Sequence, residues 1–90
     1  MSRAFVNEDA GSGGPRKDYH LPERDDPGFD AAAARALLEA ARAGDTASAE
    51  EATGYRWGEP RLAPHVRRIQ RVAETTGDYR LEQLASRFLR

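Results

Sequence analysis

Cysteine is absent from this 90-residue chain, which excludes disulfide staples and thiolate metal sites. Lysine is almost absent as well, since Lys17 is the only one and every other basic residue is arginine. No stretch approaches the roughly 18 consecutive apolar residues of a membrane span. Residues 1–8 lack the apolar run of a signal peptide, so the expected location is cytoplasmic. Net charge is only −1, far from the strongly basic balance of a dedicated nucleic-acid binder. No segment alternates apolar and polar residues at period two, so strands are not expected.

What the chain does hold is a short helical unit written twice. Ala40-Ala41-Arg42-Ala43-Gly44-Asp45, running on to Glu51-Ala52, has a near-copy at Ala73-Glu74-Thr75-Thr76-Gly77-Asp78, running on to Leu84-Ala85. At an offset of 33, Ala40 matches Ala73, Gly44 matches Gly77, Asp45 matches Asp78, Ala52 matches Ala85 and Tyr55 matches Phe88. Each copy is a helical run, a Gly-Asp break and a second helical run. The fold class expected is all-α: two packed helical hairpins, about four short helices, behind a flexible tail.

The tail is assigned to residues 1–28 and the helical domain to residues 29–90. Gly11-Ser12-Gly13-Gly14-Pro15 is a flexible break, and Pro22, Pro27 and Gly28 oppose regular structure. Fast amide exchange is expected over residues 7–28. Within the tail, Phe5-Val6 and Tyr19-His20-Leu21 are apolar islands, read either as loosely packed on the domain or as short linear motifs. Asp30 is expected to cap the first helix, with Phe29 as a staple. The run from Ala31 to Ala43 contains only Ala, Leu, Arg and Glu, all strong helix formers. Gly44 ends it. Asp45 or Thr46 caps a short second helix, and Ser48-Ala49-Glu50-Glu51 offers a second start with capping-box spacing.

The connection from Gly54 to Pro64 carries the only tryptophan, Trp57, close to Tyr55. This pair either seals one end of the core or forms a recognition surface. Pro64 suits the first turn of a third helix. There Val66, Ile69 and Val72-Ala73 share an inward face, with Arg67, Arg68 and Arg71 turned outward. Gly77 stops it, Asp78 caps the last helix, and Leu81, Leu84-Ala85 and Phe88 form its buried stripe, flanked by Tyr79 and Leu89. Leu37, Ile69, Leu84 and Phe88 are the expected core anchors.

Catalytic chemistry is not expected, and no cofactor or metal site is read from the sequence. The glycines at 11–14 lack the Gly-Lys-Ser/Thr ending of a phosphate loop. His20 and His65 have neither a carboxylate nor a second histidine at ligand spacing. The candidate partner-binding residues are therefore Arg67, Arg68 and Arg71, the aromatics Tyr55 and Trp57, and the acids Asp45, Glu50 and Glu51. Structural alternatives stand beside each. The acids compensate a helix dipole, and the arginines form a solvated face with Glu74 as an intrahelical partner. Charge is also divided along the chain: residues 1–55 carry net −5 and residues 56–90 net +4. That layout permits self-association or a basic docking face.

Two families are similar at these residues. The helix–Gly-Asp–helix unit resembles the tetratricopeptide-type hairpin, whose small residues, at positions matching Ala40, Gly44 and Ala52, let helices cross closely. The resemblance spans residues 31–57 and 64–90, without that family's tryptophan and proline pattern. The opening Met1-Ser2-Arg3-Ala4-Phe5-Val6-Asn7-Glu8-Asp9 is similar to the start of bacterial Gre-type transcript cleavage factors. So are Glu39-Ala40-Ala41-Arg42-Ala43-Gly44-Asp45, Tyr55-Arg56-Trp57-Gly58, Arg61-Leu62 and Arg67-Arg68-Ile69, which resemble their coiled-coil tip and returning helix. In that family acids at the tip reach the RNA polymerase active centre and help hold a magnesium ion, and Asp45 with Glu50 or Glu51 would match them. Here Gly54, Gly58, Pro60 and Pro64 interrupt the coil, and a 14-residue helix spans only about 21 Å. The resemblance thus implies at most a shared ancestry or a shared partner, not cleavage activity.

The leading functional reading is a non-enzymatic helical module that binds another protein. The alternative is an RNA polymerase-associated transcription regulator related to Gre factors, without cleavage activity. A nucleic-acid contact through the third helix comes next, and no membrane partner is expected.

Overall fold

The uninterrupted Ala/Leu/Arg/Glu run forms α1, Phe29–Arg42, in a computed structural model that describes residues 19–90. It is followed by α2, Thr46–Thr53, a 3-10 turn at Pro60–Leu62, α3, Ala63–Thr76, and α4, Tyr79–Phe88. The domain is all-α, and no strand occurs among the described residues. None of its helices is long and apolar enough to cross a membrane. Phe5-Val6 and the glycines at 11–14 lie outside the described residues.

α1 is the central element. It packs against α2, α3, α4 and the 3-10 turn, whereas α2 packs on α1 alone. Alanine makes this possible, because Ala33, Ala34, Ala36 and Ala40 are buried together with Leu37 and Leu38. Small side chains on several sides let neighbouring helices approach at once. The leucines contribute the bulk, roughly 1.5–3 kcal/mol for each fully buried side chain.

The repeated unit is a repeated turn. After α1, the Asp45 amide donates to the Ala40 carbonyl at 2.8 Å; after α3, the Asp78 amide donates to the Ala73 carbonyl at 2.9 Å. Between them stand Gly44 and Gly77, with φ of 77° and 79°, in the left-handed conformation that glycine tolerates. Each aspartate then turns its carboxylate to the next helix: Asp45 accepts from Ser48 N and Asp78 from Leu81 N. The same six-residue turn, alike at its alanine, glycine and aspartate, thus ends one helix and starts another, twice.

All four expected anchors are buried: Leu37, Ile69, Leu84 and Phe88. Several finer expectations are corrected. Asp30 does not cap α1, since Gly28 occupies that position with no side-chain bond. Phe29 is the first helical residue and is buried rather than stapled in front. Ser48 to Glu51 do not start a helix, because Asp45 already caps α2 three residues earlier. Val72, expected inward, is 51% exposed, and Tyr79 is 72% exposed. Both lie where α3 and α4 have no further helix to cover them.

Residues 19–28, assigned to the tail, lie against the helices at three points. The Tyr19 hydroxyl donates to Ser48 Oγ at 3.1 Å. Tyr19 and Leu21 are half-buried against the core. The Arg24 guanidinium donates to the Thr53 carbonyl at 2.8 Å and stands 5.2 Å from the Phe29 ring centre.

Candidate functional site

The acids of the first turn are occupied structurally. Asp45 receives the Ser48 amide, and Glu50 Oε2 receives the Trp57 amide at 2.9 Å. Glu51 is exposed. These three do not converge, and no group of three or more histidine, aspartate or glutamate side chains among the described residues could hold a metal ion.

Tyr55 is half-buried and committed to the fold. Its hydroxyl donates to Asp30 at 2.7 Å, and its ring lies 6.3 Å from that of Phe29. Thr53, fully buried, holds the start of this loop: its hydroxyl donates to the Ala49 carbonyl and accepts the Tyr55 amide. Sequence reasoning passed over Thr53, because a single threonine before a glycine carries no periodic signal. Leu62 was likewise missed and is completely buried; the 3-10 turn turns it inward beneath α1 and α3.

Trp57 sits differently. It packs edge-on against Phe88, with ring centres 4.9 Å apart, yet it also lines an open groove with Ala41, Thr46, Leu84, Arg80 and Arg87. Both structural and recognition roles are therefore available to it. Arg80 and Arg87 were not among the expected site residues. The readable signal was their spacing of seven on α4, two helical turns with Leu84 between them.

Arg67, Arg68 and Arg71 are exposed on α3, as their positions opposite Val66, Ile69 and Ala73 require. Glu74 does not neutralise them, for no ion pair involves any of the three among the described residues. They do not form one flat patch. Arg67 lines a groove with Pro60, Pro64, Phe88 and Arg90, whereas Arg68 lines another with Arg35, His65, Ile69 and Val72. Arg71 follows both by about one turn.

The fold thus defines the class as an all-α four-helix domain whose exposed arginines on α3 form no ion pair among the described residues. Comparison with protein families, curated proteins and solved structures found no match to this chain.

Proposed function

We propose that the chain is a non-enzymatic helical protein-interaction module that docks through the outer face of α3. The observation that carries this reading is the state of Arg67, Arg68 and Arg71: exposed and without ion pairs among the described residues. Their neighbours on the inward face fix the helix, so the guanidinium groups are presented on a rigid support. Each can fork onto a carboxylate of a partner protein. Asp45 and Glu50 are held by backbone amides of their own chain, which favours the arginines over the acidic turn as the docking element.

Replacing Arg67, Arg68 and Arg71 together by glutamine tests the reading. Capture of partners from a host extract should fall while the helical circular dichroism stays unchanged; undiminished capture removes this face from consideration. Specific recovery of core RNA polymerase would select the transcription-regulator reading instead. A nucleic-acid contact through about three phosphates weakens with a log–log salt slope of roughly −2 to −3, whereas a protein contact built on Trp57 and Tyr55 barely responds to salt.

A further inference from the structure

The groove walled by Trp57 has a composition that identifies what it can take. Its apolar lining comes from Trp57, Ala41 and Leu84, and its charge from Arg80 and Arg87. The groove is shallow and open to solvent, with about 450 Å³ of space above its lining. Neither arginine forms an ion pair among the described residues, and both are exposed. On α4 they stand seven residues apart, which is about 10.5 Å along one face, with Leu84 between. Leu84 itself is buried, so the apolar surface offered beside the two cations is that of the half-buried Trp57 and Ala41.

From this the geometry points to a binding site for an extended acidic peptide of a partner protein, in which an apolar residue has an acid two positions before it and another two positions after. In an extended chain, side chains at alternate positions face the same way, so these three point into the groove together. Four residues of such a chain span about 13 Å. The long arginine side chains take up the difference from the helix spacing. The apolar side chain meets Trp57 and Ala41, and each acid meets one guanidinium in a charge-assisted hydrogen bond. This site rests on the reading of the chain as an interaction module, but it uses arginines distinct from those of the α3 face.

Trp57 is the only tryptophan, so its fluorescence reports the groove directly. The probe is a capped ten-residue peptide with glutamate, serine, phenylalanine, serine and glutamate at its centre, titrated into the full chain. A saturable change in Trp57 emission is expected. It should weaken about tenfold or more in Arg80→Gln/Arg87→Gln and persist in the triple glutamine variant of Arg67, Arg68 and Arg71. A peptide with glutamine in place of both glutamates should fail on the unmodified chain, a control that does not depend on any variant folding. No saturable change, or equal binding by the glutamine peptide, overturns the proposal. Stronger binding by a helical peptide with acids seven residues apart overturns the extended occupant. Trp57 emission that changes with the concentration of the chain alone assigns the groove to a second copy and likewise overturns it. Loss of capture by the α3 variant with peptide binding intact leaves the two surfaces separate.

Discussion

Arg42 and Asp78 close an ion pair of 2.7 Å that joins the end of α1 to the start of α4. The two residues are 36 apart in the chain and belong to different hairpins. Asp78 also accepts the Leu81 amide, so one carboxylate caps a helix and ties it to the central one. The Arg42 guanidinium, followed by that amide, holds the Asp78 carboxyl below its ordinary range.

The sign of the resulting pH dependence follows from that lowered value. An aspartate whose folded pKa is depressed adds stability above its unfolded pKa and loses it as pH falls through the folded one. Asp78→Asn keeps a capping oxygen but removes the charge, so it should melt lower than the unmodified chain at pH 7. The gap should begin to close below about pH 4, the ordinary aspartate range. Added salt should narrow it too, since both side chains are partly exposed. Melting curves from pH 7 down to pH 3 decide this, and a gap constant over that range would show that the pair contributes nothing through its charge.

Core substitutions should separate sharply along α3 and α4. Leu84→Ala removes a side chain that is 4% exposed and should cost about 2–5 kcal/mol. In a domain of this size that lowers the melting temperature by about 10 °C or more. Leu62→Ala should fall in the same class, because Leu62 is fully buried. Val72→Ala, at a position 51% exposed, should stay within about 0.5 kcal/mol. A Val72 effect as large as that of Leu84 would mean that α3 is covered by something further.

The contrast between Val72 and Leu62 shows how far the sequence could be read. Helical periodicity placed Val66, Ile69, Ala73, Leu81, Leu84 and Phe88 on inward faces, because one regular element decides each of them. The Gly-Asp turns were equally legible, since a left-handed glycine and a capping aspartate have local causes. Val72 lies at the margin of its stripe, where only the position of the neighbouring helix settles burial. Leu62 and Thr53 belong to turns, whose side-chain directions have no period. For the candidate site, arginines opposite an apolar stripe could be read outward. The loop back to Glu50 and the groove beside Arg80 and Arg87 depend on tertiary contacts between residues distant in sequence.

Two glycines with the same backbone angle should respond differently to alanine. Gly54 and Gly77 both have φ of 79°, so each substitution meets the left-handed penalty of about 1–2 kcal/mol. A Cβ at Gly77 meets nothing within 4 Å, whereas one at Gly54 stands 2.8 Å from the Arg24 guanidinium nitrogens. Gly54→Ala should therefore also displace Arg24 from the Thr53 carbonyl. The excess should vanish in an Arg24→Ala background, where both glycine substitutions cost about the same. An excess that survives there places the strain elsewhere than in Arg24.

Glu50 and Glu51 are adjacent acids of the same helix, yet only Glu50 holds the Trp57 loop, accepting the Trp57 amide at 2.9 Å. Glu50→Ala should release that amide and loosen the packing of Trp57 on Phe88. A partly buried hydrogen bond to a charged group is worth about 1–3 kcal/mol, so the melting temperature should fall measurably. Trp57 emission should shift to longer wavelength as water reaches the indole. Glu50→Gln keeps an acceptor oxygen and should retain most of the signal. Glu51→Ala should change neither reading, because Glu51 is exposed. If the two acids behaved alike, the loop would be held by the aromatic contact alone and the carboxylate at position 50 would have no structural role there.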